Sequence, residues 1–339
     1  MTDETQMVAA LDARARRREE RRDFFRAFGA VAAVGTGLAL TSCGGNSNNS
    51  PTPTPSGSAT ATPTPTPTAT NSSGFTDNDV LNFALNLEYL EAQFYAFAAN
   101  GTGLAATLLT GSGTAGTVTG GRKANLNDPI VANYAREIAQ DELAHVEFLR
   151  NALGSSAIAM PTLDISATPT SAFSNAARAA GLIGDGATFD PYANDDNFLL
   201  AAYLFEDVGV TAYRGAMGGI ANALIRQAAS GILATESYHA AMIRSALYMR
   251  GLSTPTLIDS TEAISNARDG LDGASDIDQG VRPIGDQSNI MPFDANTGLP
   301  YGRTAGQVLN IAYLNRNAVT TGGFFPAGVN GAIKTSAAN

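Results

Sequence analysis

Hydrophobic residues recur every three or four positions in four long segments of the chain, a spacing that places them on one face of an α-helix. Residues typical of helix ends bound these segments: Asp128 precedes the second, and Gly101 and Gly154 follow the first two. Helices of this length bury their apolar faces against each other, so the pattern predicts an all-α fold built on a four-helix bundle. The predicted helices run from Asp77 to Asn100, from Pro129 to about Leu153, from Asn194–Asp196 to about Ala216, and from between Ala221 and Gln227 to Arg250.

Each predicted helix carries an acidic residue in its apolar face. On the first and third helices it is a single glutamate, followed seven residues later by a tyrosine. On the second and fourth it is a glutamate followed three residues later by a histidine, and the chain contains only these two histidines. A Glu and a His at this spacing lie on the same side of a helix, where both can reach one metal ion. A helix with a glutamate and a tyrosine is followed by a helix with Glu-x-x-His, and this two-helix unit occurs twice. The unit is therefore an internal repeat. Its chemistry-bearing residues are Glu88, Glu142, His145, Glu206, Glu236 and His239.

Four buried glutamates need cationic partners, because an ionised carboxylate on an apolar face is costly unless it is paired or bound to a metal. The four apolar faces contain no Lys or Arg, so two divalent cations are the predicted partners. A hydrogen-bonded polar core without metal is the alternative, and so many unpaired acids disfavour it. Carboxylate and imidazole ligands without sulfur favour iron or manganese, while affinity alone leaves zinc open.

Three further residues could support these ligands. Tyr95 and Tyr213 could donate hydrogen bonds to them or be redox-active, but packing in the core is the preferred interpretation of aromatic residues at helical spacing. Glu91 lies about 60° around the helix from Glu88. It could be an additional ligand or a carboxylate that supports a ligand, but the preferred interpretation is a polar residue at the flank of the buried face. Asp141 and Glu147 are predicted to be solvated helix charges.

The first 42 residues predict an export signal. A charged segment ends in Arg21, Arg22, Asp23 and two phenylalanines, and resembles a twin-arginine signal. The uncharged apolar run after it has about 14 residues, too short for a membrane span. The motif that ends in Cys43 resembles a lipobox, in which the cysteine is lipidated. A basic amphipathic helix with a chance cysteine is the alternative. We expect an exported protein that is lipid-anchored at the cell envelope, on its periplasmic side or outer surface.

Composition divides the rest of the chain. Residues 43–74 are rich in Pro, Thr and Ser and predict an extended linker, because such a segment buries almost nothing. Residues 75–251 hold the bundle. Residues 252–339 predict a loop-rich extension packed on it, with one short helix near 304–315 and with Phe324 and Phe325 docked on the outside of the bundle. The insert 101–127 is expected to be a surface loop without chemistry.

The overall charge excludes some functions. A formal charge of −10 argues against binding to nucleic acid, which requires a clustered basic face. The single cysteine excludes an intramolecular disulfide and a thiolate metal site.

Three stretches of the chain carry a resemblance to a known family. Residues Asn82 to Ala92, and the tail segments Gly302 to Tyr313 and Gly322 to Pro326, are similar to the desiccation-related branch of the ferritin-like superfamily. The resemblance covers about Phe75 to Ile333. It implies a di-metal centre with single-Glu ligands on the first and third helices. It also implies that the glutamates of the two Glu-x-x-His motifs bridge the ions and that each histidine completes one of them.

Three functional hypotheses follow. The first is a redox protein whose di-iron or di-manganese pair acts on oxygen or peroxide, as a ferroxidase or a peroxide scavenger in stress protection. The second is a metal-binding or desiccation-protection protein without turnover, and the third is a purely structural surface module. A closed storage cage fits poorly with a lipid-tethered chain. The sequence allows a homodimer.

Overall fold

The structure is a computed structural model that describes residues 74–339. The predicted signal 1–42, the predicted lipidation site Cys43 and the predicted linker up to residue 73 lie outside the described residues. Within residues 74–339, no helix combines the length and the hydropathy needed to cross a bilayer. The helices there are α1 Asp77–Asn100, α2 Pro129–Leu153, α3 Ala172–Ala179, α4 Asp195–Ala216, α5 Ala223–Gly251, α6 Pro255–Asp272 and α7 Ala305–Ala312.

The four long helices begin and end at residues whose chemistry sets the boundary. Thr76 caps α1 and exchanges hydrogen bonds with Asp79, and Gly101 ends the helix in the left-handed conformation with φ 81°. Asp128 accepts a hydrogen bond from the backbone of α2, and Asn222 does the same for α5. Where the sequence analysis gave a single residue as a helix boundary, the structure confirms that boundary to within one residue.

These four helices, α1, α2, α4 and α5, form the predicted bundle. The helices α1 and α2 pack along each other, and α4 and α5 form the second pair. The pairs meet where α1 contacts α4 and α2 contacts α5. This arrangement brings the two single-glutamate helices together on one side and the two Glu-x-x-His helices together on the other.

The extension is loop-rich, as predicted, but it contains a helix that the sequence pattern did not indicate. Helix α6 packs on α4 and α5 through a face that includes Thr261, Ser265, Arg268 and Asp272. Only Leu257 and Ile264 are hydrophobic among the buried residues of α6. Its buried face therefore lacks the apolar periodicity on which the prediction relied.

Phe324 and Phe325 dock on the bundle, as expected. Both rings are buried, and the ring centroid of Phe324 lies 5.0 Å from those of Phe173 on α3 and Phe205 on α4. Edge-on packing of three aromatic rings is a favourable geometry and fixes the tail against α4.

A buried network of ion pairs also attaches the extension. Arg303, just before α7, contacts Asp272 at 2.6 Å and Asp278 at 2.8 Å. Arg268 contacts Asp278 at 2.6 Å and Asp207 of α4 at 3.2 Å. Each arginine is thus matched by carboxylates in a water-poor environment. The network comprises Arg244, Arg268, Arg303, Asp207, Asp272 and Asp278.

The insert between α1 and α2 is more ordered than the predicted surface loop. Its strand β1 Val118–Gly120 pairs in parallel with β2 Leu163–Ile165. The two strands tie this excursion to the segment that leads into α3.

Candidate metal centre

The six predicted ligands lie together in the middle of the bundle. The four glutamates are fully buried, and the two histidines are 1–2% exposed. The centroids of the two imidazole rings are 6.1 Å apart. Residues of four helices, spread from position 88 to position 239, thus share one water-poor space. They are Glu88, Glu142, His145, Glu206, Glu236 and His239.

The six residues form two overlapping groups. Within each group, one potential ligand atom from every member lies within 4.8 Å of the others. Glu142 and Glu236 belong to both groups. A carboxylate shared by two groups has the disposition of a ligand that bridges two ions. The first group is Glu88, Glu142, His145 and Glu236, and the second is Glu142, Glu206, Glu236 and His239.

The histidines point the same ring nitrogen into the cluster. His145 Nδ1 lies 3.1 Å from Glu88 Oε2 and 3.5 Å from Glu142 Oε2. His239 Nδ1 lies 3.0 Å from Glu142 Oε1 and 3.4 Å from Glu206 Oε2. The two oxygens of Glu142 therefore face different histidines, as a bridging carboxylate requires.

Several buried atoms in the cluster lie close to one another but make no hydrogen bond of acceptable geometry among the described residues. They include both carboxylate oxygens of Glu142 and of Glu236, Oε2 of Glu206 and Nδ1 of His239. Buried polar atoms are normally hydrogen-bonded, and leaving them unpaired is costly. Oxygen and imidazole nitrogen donors are ligands that iron, manganese and zinc accept. The cluster is therefore compatible with divalent metal binding.

The electrostatics of the cluster are those of a carboxylate-rich site. Burial raises the pKa of Glu88 to about 7, although the adjacent His145 works in the opposite direction. Burial and the charge of Glu142 raise the pKa of Glu236 well above its ordinary value. Burial opposes ionisation of Glu142 too, but the two imidazoles hold its pKa below the ordinary value. The cluster thus holds more acid than its histidines can neutralise.

The two tyrosines are hydrogen-bonded to the ligands, which corrects the preferred interpretation of them as packing residues. Tyr95 of α1 donates to Glu206 Oε1 of α4, and Tyr213 of α4 donates to Glu88 Oε1 of α1. Each tyrosine thus donates a hydrogen bond to the glutamate in the other half of the repeat. Later positions of α1 pair with earlier positions of α4, so these helices run antiparallel.

Glu91 is also buried, at 6% exposure, so its preferred interpretation as a polar flank is wrong. It belongs to neither ligand group. Burial and the charge of Glu236 raise its pKa well above the ordinary value. The equivalent position in the second half is Gly209, where an added Cβ would lie only 2.4 Å from Glu236 Oε2.

Asp141, predicted to be a solvated helix charge, is 29% exposed but also reaches the site, a contact that the sequence analysis missed. Its Oδ2 lies 3.3 Å from Nε2 of His239, the ring nitrogen that faces away from the cluster. A carboxylate in this position fixes the tautomer and orientation of a metal-binding imidazole. No periodicity could have revealed it, because Asp141 on α2 reaches a histidine on the neighbouring helix α5.

Comparison with known proteins identifies the class. Residues 76–249 match the family model described as a ferritin-like domain. The chain therefore belongs to the ferritin-like family, which confirms the predicted fold class.

Two curated relatives are similar over most of the described chain. The ferritin-like catalase Nec2 of Nesocodon mauritianus is 33% identical over 271 residues, which cover 76% of this chain and 84% of that protein. The desiccation-related protein PCC13-62 of Craterostigma plantagineum is 34% identical over 218 residues, covering 62% of this chain and 65% of that protein. No solved structure matches the chain at a significant level.

Proposed function

We propose that the chain binds two divalent cations, iron or manganese, and disposes of hydrogen peroxide with them in stress protection. The observation that carries the proposal is the pair of overlapping ligand groups that share Glu142 and Glu236. The similarity to a protein named as a ferritin-like catalase supports the choice of peroxide as substrate. Oxidation of ferrous iron by dioxygen is the related reaction that the same site would support.

Peroxide disproportionation needs no external reductant. A metal pair held by the six ligands would supply the two-electron chemistry by which 2 H₂O₂ become 2 H₂O and O₂. The four carboxylates match the charge of two divalent cations. Tyr95 and Tyr213 hold Glu206 and Glu88 in place by hydrogen bonds, and Asp141 holds the ring of His239. Burial of all six ligands keeps bulk water out of the site.

Elemental analysis combined with an oxygen electrode tests the proposal. The purified protein should hold two ions per chain and release dioxygen from peroxide. Glu142→Ala with Glu236→Ala should lose both the metal and the activity, because it removes both shared carboxylates. A matched control, Glu137→Ala with Glu147→Ala, removes two glutamates from the outer side of α2 and should retain both. Two bound ions without release of dioxygen or oxidation of ferrous iron would exclude the redox function.

A metal-binding protein without turnover is the second candidate. The similarity to a protein named as desiccation-related favours it. It requires stoichiometric metal, a melting temperature that rises with metal, and no reaction with peroxide or dioxygen. Stoichiometric metal would also exclude a purely structural surface module.

Export and lipid anchoring at Cys43 form part of the proposal. The motif around Cys43 and the apolar segment before it support them. The full-length protein should fractionate with membranes and carry a lipid on Cys43, as measured by mass spectrometry. Cys43→Ser should be recovered without lipid in the soluble fraction.

A further inference from the structure

A cavity lies directly beside the candidate metal centre, between α1 and α4. Its volume is about 30 Å³, more than a single water molecule requires. One wall comes from α7 and Phe324 of the C-terminal extension. We call it the α1–α4 cavity. Its lining includes Leu87, Glu91, Val208, Gly209, Ala312 and Phe324.

Gly209 makes the wall between this cavity and the centre unusually thin. A Cβ at Gly209 would lie 2.4 Å from Glu236 Oε2 and 3.5 Å from Glu91 Oε1. The carboxylate of Glu236, which both ligand groups share, therefore occupies the space that a side chain at position 209 would fill. Gly209 and Glu91, which line the cavity, are therefore also the neighbours of a carboxylate that both ligand groups share.

We propose that the α1–α4 cavity is the access site through which a small uncharged oxygen species, peroxide or dioxygen, reaches the metal pair. This inference rests on the proposed function. The C-terminal extension thereby becomes part of the site, because α7 and Phe324 line the cavity.

The chemistry of the walls selects the ligand. All lining side chains except Glu91 are apolar, so the cavity offers a metal cation almost nothing to replace its hydration shell. The same apolar lining offers an anion such as superoxide almost nothing to replace its hydration shell. Hydrogen peroxide and dioxygen carry no charge. Peroxide can also hydrogen-bond to Glu91.

A matched pair of variants tests the proposal. Leu87 is half-buried and lines the α1–α4 cavity. Leu182 is also half-buried and lines a second apolar cavity of about 30 Å³ between α3 and α6, which includes none of the predicted ligands. Leu87→Trp should fill the first cavity and Leu182→Trp the second. Val208→Phe fills the first cavity from α4 and replaces Leu87→Trp if that variant does not fold.

The first measurement does not depend on activity. Crystals pressurised with xenon should show xenon in the α1–α4 cavity of the wild type and of Leu182→Trp but not of Leu87→Trp, since apolar cavities bind xenon. Absence of xenon from the wild-type cavity overturns the proposal.

The second measurement follows access to the metals. With two ions per chain in every variant, Leu87→Trp should lower kcat/KM for peroxide about tenfold, with a smaller effect on kcat, while Leu182→Trp leaves both unchanged. Equal values for the two variants overturn the proposal.

If the loaded wild type shows no turnover, the proposed function fails, and nitric oxide binding to the ferrous protein replaces the assay. Slower binding in Leu87→Trp alone supports the access site, and equal rates overturn it.

Discussion

Tyr213 donates a hydrogen bond to Glu88, which lies 125 residues earlier in the chain. Tyr95 makes the reciprocal contact with Glu206, so each half of the internal repeat completes the candidate site of the other. The contacts cross the boundary between α1 and α4, where the two halves of the bundle meet. Neither half could therefore build the site alone.

Removing one of these hydroxyls should weaken metal binding. In Tyr213→Phe the carboxylate of Glu88 loses its hydrogen-bond donor and becomes less well oriented, so we expect roughly 10- to 100-fold weaker binding. Competition with a chelator of known affinity measures the change. Tyr192→Phe is the control, because Tyr192 is also buried but donates to the backbone of Ile165. Equal affinities in the two variants would contradict a supporting role for Tyr213.

Asp141 provides a second test of the residues that hydrogen-bond to the predicted ligands. Asp141→Asn should reduce metal affinity about tenfold, because the amide holds the ring of His239 less firmly than the carboxylate does. Glu147→Gln, a similar change at an exposed position of the same helix, should leave the affinity unchanged. Isothermal titration with manganese would compare the two variants, and a loss of affinity in both would argue for a general charge effect.

The six predicted ligands, which the structure brings together, could be picked out in the sequence because they break a pattern. A glutamate such as Glu88 in an otherwise apolar stripe is visible from helical periodicity alone, and the two Glu-x-x-His motifs use both histidines in the chain. The four long helices were predictable for the same reason, since their stripes and their end residues agree.

Contacts between helices could not be predicted in this way. The partners of Tyr95 and Asp141 depend on which helices adjoin and in which direction they run. Periodicity defines a buried face but not what that face meets. Helix α6 was missed for a related reason, because its buried face includes Arg268 and Asp272, which are stabilised by ion pairs rather than by burial of apolar surface.

The effect of metal on thermal stability should increase with pH. Burial raises the pKa of Glu88 and Glu236, and nearby carboxylates raise the pKa of His145 and His239 against the effect of burial. After chelation these four groups bind protons more tightly in the folded chain than in the unfolded one. The stability of the stripped protein should therefore fall as the pH rises from about 5 to 8.

Bound cations keep the same groups deprotonated, so the loaded protein should not suffer this loss. The difference in Tm between loaded and chelator-treated protein should widen over that range. Calorimetry at three pH values measures it, with Glu142→Ala plus Glu236→Ala as the control that shows no difference. A gap that stays constant or narrows would contradict this linkage.

The buried ion network should decide whether the extension stays attached. Arg303→Met removes the arginine that pairs with the buried Asp272 and one of the two arginines that pair with Asp278, so we expect a loss of about 3–5 kcal/mol in the free energy of unfolding. Arg282→Met breaks an Arg–Asp pair that is exposed to solvent and should leave the stability unchanged. Denaturant unfolding compares the two variants.

Because Arg303 also donates to Thr211 of α4, its loss should loosen the tail and increase protease cleavage within residues 273–339. Equal stability in both variants would show that the apolar contacts of Phe324 and Phe325 hold the extension without the ion pairs.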